Sequence, residues 1–158
     1  MSNRVQYFKF AAKSMQKLTE LSQVTKEGSL DAKFIDLIQL RASQLNHCTF
    51  CVDMHAKEAK IHGEKELRLY HLPVWRESKL FTEKERVALE FTEALTQLGN
   101  DGISDELYGK TKEHFTDQEL VDLTYAIGVI NLWNRMNAVF RTEPGIFDKM
   151  FGLDKSGL

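Results

Sequence analysis

Cys48-Thr49-Phe50-Cys51 sets two thiols three residues apart, and His55 follows the second by four. A free thiol has a pKa of ~8.5, so little of it is thiolate at neutral pH and sulfur chemistry requires that value to fall. A helix that begins at Cys48 places both cysteines in its first turn, where unpaired N–H groups and the helix dipole favour negative charge. Cys51 and His55 then share a face. An imidazole so placed can take the thiol proton, directly or through water, and later protonate a leaving oxygen. Cys48 lies close enough to Cys51 to form a disulfide without large backbone movement. One stripe of helix thus offers a nucleophile, a resolving thiol and a proton relay, and the chemistry it suits is thiol–disulfide redox.

The same residues have other possible uses. A C-x-x-C is half of a structural zinc site, but such sites normally take four ligands, and there is no second cysteine pair. His47 adjoins Cys48 and does not readily join Cys51 and His55 around one ion. No metal and no bound cofactor are therefore expected. A merely structural pair is the remaining alternative. Asp36 stands about 11 residues before the Asn46-His47 break and His55 about 8 after it, roughly 16 and 12 Å along two helices. If those helices fold back as a hairpin, Asp36 can approach His55 and orient the imidazole; a solvated Asp36 is the equal alternative.

The elements that must position these groups all read as helix. Phe8, Ala11, Ala12, Met15, Leu18 and Leu21 recur at 3- and 4-residue steps from Val5 to about Val24, with Gly28 closing the stretch. A second helix is expected from about Leu30 to Leu45, a third from Cys48 to near Gly63, and a short one over 64–70 that stops before Pro73. Thr82-Glu83-Lys84-Glu85 and Thr116-Asp117-Gln118-Glu119 are capping boxes. Their helices should run to about Leu98 and Arg141, with a shorter helix opening at Ser104. On the last long helix Leu120, Leu123, Ile127, Ile130, Asn134, Asn137 and Arg141 form one face that turns from apolar to polar. Its opposite side is apolar too, which suggests burial or a subunit interface. Asn134, Asn137 and Arg141 are expected either near the site or at an oligomer contact, or else where the helix emerges into water. The class is all-α, one helical-bundle domain over 1–158.

Composition narrows the function. With 42% apolar and 28% charged residues the chain suits a soluble globular protein. A formal charge of −2 gives no reason to expect nucleic acid or an acidic membrane as partner. Residues Met1 to Val5 lack the apolar core of a signal peptide, and no apolar run approaches the ~20 residues that span a bilayer. The expected compartment is the cytosol, where a lone cysteine pair is more often catalytic or metal-binding than structural.

The run Asp36-Leu-Ile-Gln-Leu-Arg-Ala-Ser-Gln-Leu-Asn-His-Cys48-Thr-Phe-Cys51-Val-Asp-Met-His55 closely resembles the core motif of the alkylhydroperoxidase AhpD-like branch of the carboxymuconolactone decarboxylase family. Ile130 to Arg141 looks like the second segment common in its single-domain members. The resemblance implies an all-helical fold and a homo-oligomer: a dimer, trimer or hexamer. It implies that Cys51 attacks a hydroperoxide as thiolate, that Cys48 resolves the sulfenic acid and exchanges with an external dithiol or protein reductant, and that His55 and Asp36 relay protons. Two positions depart from the pattern: Asp36 stands where Glu is usual, and Phe50 where the family's characterised alkylhydroperoxidase has His. A redox-sensing or metal-binding module is one alternative function. A decarboxylase or isomerase of a small cyclic acid, with His55 and Asp36 as acid and base, is the other, although family decarboxylases generally lack the cysteine pair.

Overall fold

Four of the helices start where the sequence offers a side-chain oxygen to the free N–H groups of a first turn. Thr82 and Thr116 close capping boxes with Glu85 and Glu119, while Asp31 and Ser104 accept from Lys33 and Leu107. Each such cap contributes ~1 kcal/mol. The computed structural model describes residues 4–158, so the first three residues of the segment read above for a signal peptide lie outside it. Among the described residues no strand forms. The helices are α1 (Ala12–Lys26), α2 (Ala32–Leu45), α3 (Thr49–Ile61), α4 (Glu66–His71), α5 (Glu83–Thr96), α6 (Asp105–His114), α7 (Asp117–Phe140) and α8 (Asp148–Phe151). Short 3-10 turns occupy Tyr7–Lys9, Leu72–Val74 and Leu153–Lys155. None of these helices is long and apolar enough to cross a membrane.

α2 is the central element. Every residue from Ile35 to Leu40 is buried, because α3, α5 and α7 all pack against this helix. Its apolar stripe meets Leu72, Val87, Leu89, Leu123 and Ile127 in the main core. α7 is less symmetric than its sequence suggested. Leu120, Leu123, Ile127, Ile130, Asn134 and Asn137 are buried, whereas Val121, Tyr125, Leu132 and Val139 on the other side lie 47–58% exposed.

Several boundaries differ from expectation, the starts of α2 at Ala32 and α4 at Glu66 among them, and two of the differences have a clear cause. The first helix begins at Ala12 rather than Val5, because Tyr7 is drawn out of helical register. Its ring stacks on Phe140 at 4.9 Å and its hydroxyl donates to Asn137 Oδ1 at 3.3 Å. The third helix begins at Thr49, one residue late, because Cys48 is in extended conformation and serves as its cap.

α2 is tied to α5 by a charged strap. Glu93 Oε1 accepts from Arg41 Nε at 2.8 Å and from the Trp75 indole at 2.7 Å, and its Oε2 meets Arg76 at 2.6 Å. Burial alone would push the Glu93 carboxyl up, but these donors together hold it below its ordinary value. Removing one member of such a set strands the others in a poorly solvated place. Glu93→Leu should therefore lower stability by roughly 3 kcal/mol, read as a fall in the urea midpoint without a change in its slope.

Candidate active site

The site is built at the turn between α2 and α3. His47 takes a left-handed conformation (φ 53°), which reverses the chain at the end of α2. The Cys48 N–H then donates to Ser43 O at 3.1 Å, and the Cys48 sulfur accepts from the Cys51 N–H at 3.3 Å. Cys48 and Cys51, with Cα atoms 5.3 Å apart, are joined as a disulfide. Both are nearly inaccessible from outside, at 3% and 1% exposed.

α7 clamps this turn with amides. Asn46 Nδ2 lies 2.9 Å from both Asn131 Oδ1 and Asn134 Oδ1, and Asn134 Nδ2 donates to Ser43 Oγ at 3.0 Å. One turn on, Asn137 Nδ2 donates to Trp133 O and stands 3.6 Å from the Cys51 sulfur. Of the three polar residues singled out at this end of α7, Asn134 and Asn137 are thus at the site. Arg141 caps the helix in left-handed conformation and lines the neighbouring cleft.

His55 is held by its own helix. Its Nδ1 hydrogen-bonds Glu58 Oε2 at 2.8 Å, and Glu58 Oε1 accepts from Lys26 Nζ of α1 at 2.7 Å. Burial opposes ionisation of Glu58, yet the bonds from His55 and Lys26 outweigh it and hold the carboxyl at about 2. With Nδ1 turned to a carboxylate, the neutral ring carries its proton there and presents Nε2 as a base. That Nε2 is buried and has no partner.

Asp36 does not make the bond the hairpin argument allowed. The helices do fold back and Asp36 is buried, but its Oδ2 pairs with His62 Nδ1 at 2.5 Å. Burial raises its carboxyl above the ordinary value, with His62 acting against that. The carboxylate that holds His55 is Glu58, which spacing could have offered: it lies at i+3 on the same helix. Among the described residues no three or more His, Cys, Asp and Glu side chains are grouped so as to hold a metal ion.

The two cysteines line different spaces. Cys51 lines an inner chamber of about 260 Å³ with Met15, Phe50, Met54, Trp133 and Phe147. Cys48 lines an outer cleft of about 840 Å³ with His47, Thr49 and Arg141. Phe50, Tyr7 and Asn137 belong to both walls. Phe50 stands edge-on to Phe147 at 6.0 Å, so the ring where a family relative has His is part of the partition. The C-terminal segment that brings Phe147 is tethered by Lys57, which reaches Asp148 at 2.7 Å and Asp53 at 2.8 Å.

Comparison with known proteins gives consistent relatives. Residues 12–94 match the model of the carboxymuconolactone decarboxylase family. The uncharacterized protein YdfG of Bacillus subtilis (strain 168) is 38% identical over 137 residues, spanning 87% of this chain and 93% of its own. A crystal structure from Agrobacterium tumefaciens, of a protein of unknown function provisionally described as the antioxidant defence protein AhpD, superposes with a TM-score of 0.87. It is 38% identical and the match covers 92% of this chain and 99% of that one. An uncharacterized peroxidase-related protein of Ralstonia eutropha JMP134, with an alkylhydroperoxidase AhpD core, shares the fold at a TM-score of 0.79 and 19% identity, over 89% of this chain and 75% of its own.

The depressed Glu58 carboxyl has a measurable consequence. Its folded value lies below the unfolded one, so its contribution to stability is complete above the ordinary carboxylate range. It is lost as pH falls from about 4.5 toward about 2. Glu58→Gln should remove that increment, so that the variant's urea midpoint declines less between about pH 5 and pH 3 than the parent's does.

Proposed function

The chain belongs to the carboxymuconolactone decarboxylase family, in its AhpD-like branch, and from that premise we propose that it is a thiol-dependent peroxidase of antioxidant defence. The observation that carries the reading is the division of labour at the disulfide. Cys51 lines a largely apolar pocket together with His55, whose Nε2 has no partner, and Cys48 lines a separate, larger cleft.

In the reduced protein, His55 Nε2 takes the Cys51 proton and Glu58 stabilises the imidazolium through Nδ1. The Cys51 thiolate attacks the terminal oxygen of a hydroperoxide; an S–O bond forms as the O–O bond breaks. His55 returns its proton to the departing alkoxide, which leaves as alcohol. Cys48 then attacks the sulfenic acid and expels water, giving the Cys48–Cys51 disulfide. Its thiolate is favoured by the helix N-terminus, where the Cys51 N–H points at the Cys48 sulfur. An external dithiol or protein reductant entering by the cleft restores both thiols through a mixed disulfide at Cys48. Asp36, bound to His62, adds to the field around the His55–Glu58 pair. Sulfur carries the electrons, so the cycle uses no bound cofactor. A reducing cytosol is the compartment this reading assigns.

Cys51→Ser should abolish turnover of an organic hydroperoxide with a dithiol reductant. Cys48→Ser should permit one oxidation and stop, with Cys51 sulfenic acid visible by mass spectrometry. His55→Ala should slow the step roughly 100-fold. Undiminished turnover by Cys51→Ser would overturn the reading.

The reading also takes the exposed row Val121, Tyr125, Leu132 and Val139 on α7 as the contact between copies of a homo-oligomer. Tyr125→Asp with Leu132→Asp should shift the mass measured by light scattering toward that of one chain; an unchanged mass assigns the contact elsewhere.

A further inference from the structure

Among the described residues two buried side-chain polar atoms lack a hydrogen-bond partner, Gln39 Oε1 and His55 Nε2. Both residues line the inner chamber with Cys51. They come from facing helices, α2 and α3, and are 3% and 2% exposed. Protein interiors pair nearly all such atoms, because an unpaired one costs about 1–3 kcal/mol. Two such atoms, on residues that line one pocket with Cys51, point to a ligand that completes them.

Their chemistry says what the ligand offers. An amide oxygen can only accept a hydrogen bond, whereas the imidazole Nε2 donates once it has taken the Cys51 proton. We infer that Gln39 and His55 form a two-point clamp for the –O–O–H end of a compact organic hydroperoxide, with Gln39 Oε1 accepting from the terminal O–H and His55 Nε2–H reaching the inner oxygen. The inference rests on the peroxidase reading and adds to it a binding residue and a size class. The remaining wall is mostly apolar, with Met15, Met54, Phe50 and Trp133, although Thr19, Ser22, Gln23 and Lys26 also line it. At about 260 Å³ the chamber exceeds the ~150 Å³ that holds one benzene ring. It falls short of the ~300 Å³ at which drug-sized pockets begin. A single ring or short branched chain fits within it, whereas a long acyl chain would extend beyond it and leave apolar surface uncovered.

The clamp orders the reacting atoms. With the terminal O–H fixed on Gln39, the terminal oxygen faces the Cys51 thiolate and the inner oxygen faces the proton on His55. Sulfur is oxidised by two electrons to the sulfenic acid, whose hydrogen is the one Gln39 held. The hydroperoxide is reduced to its alcohol with the proton from His55. A dialkyl peroxide lacks the O–H and loses the Gln39 contact.

The product alcohol makes the same O–H contact and can be tested on the disulfide form without turnover. By calorimetry, the protein should bind 2-phenyl-2-propanol about 5- to 10-fold more tightly than its methyl ether. Because the neutral His55 Nε2 is a second acceptor in this form, the variant is compared in a His55→Phe background, where Gln39→Leu should weaken the alcohol to the level of the ether and leave the ether unchanged. Equal affinity for both ligands in the parent protein overturns the clamp, and that comparison needs no variant to fold. Unchanged alcohol affinity on adding Gln39→Leu in that background, with the protein folded, overturns it as well. In turnover with excess dithiol, cumene hydroperoxide should be preferred at least 10-fold in kcat/KM over a long-chain fatty-acid hydroperoxide. Equal rates overturn the size class. The expected binding pattern with no turnover of either hydroperoxide would leave the clamp standing and remove the peroxidase reading. Turnover that ignores Gln39 would do the reverse.

Discussion

The need to pair buried polar groups at the α2–α3 turn organises this molecule. A tight turn placed inside a protein brings carbonyls and N–H groups away from water, and each unpaired one costs about 1–3 kcal/mol. Here Asn46, Ser43, Asn131 and Asn134 satisfy one another and the surrounding backbone across α2 and α7. That explains why the longest helix becomes polar on its inner face while remaining buried. The amides hold the turn against α7, and with it the conformation in which Cys48 caps α3.

From that constraint the asymmetry of the two sulfurs follows. Cys48 receives the amide hydrogen bond of the cap, and Cys51, one turn into the helix, receives Asn137 and the His55 face. Cys48 lines the outer cleft and Cys51 the inner chamber. Phe50 lies between them and packs on Phe147. A polar residue at that position would sit in the partition, so the aromatic ring serves to separate two spaces rather than to carry a proton between them.

The proton-handling groups form a line that links two helices. Lys26 of α1 holds Glu58, which holds His55, all on or against α3. Because Glu58 is kept ionised by both partners, the ring tautomer is set and Nε2 stays free for sulfur. Asp36 and His62 form a second pair beside the first. Two acid–histidine pairs thus stand at neighbouring positions, and each buried carboxyl has a local hydrogen-bond partner.

Much of this was readable in the residues alone. The capping boxes at Thr82 and Thr116 set helix starts because their hydrogen bonds are local, and the Cys51–His55 spacing set a shared face because helix geometry is local too. The polar end of α7 announced itself as groups that would need partners, although which partners was hidden. What spacing did not find was the carboxylate that meets His55. It pointed to Asp36, whereas Glu58 holds the ring, and the difference turns on the positions of His62 and Lys26, which come from different parts of the chain. The start of α1 was decided by Tyr7 stacking on Phe140, a contact between opposite ends of the chain that outweighs the local preference of residues 5–11 for helix. The cavities, and the two unpaired atoms at one of them, exist only where helices distant in sequence meet. Local periodicity determined the helices and the chemistry of the Cys–His stripe; tertiary packing decided its acid partner, its two approaches and the space its substrate can fill, because each depends on side chains brought together by burial rather than by spacing.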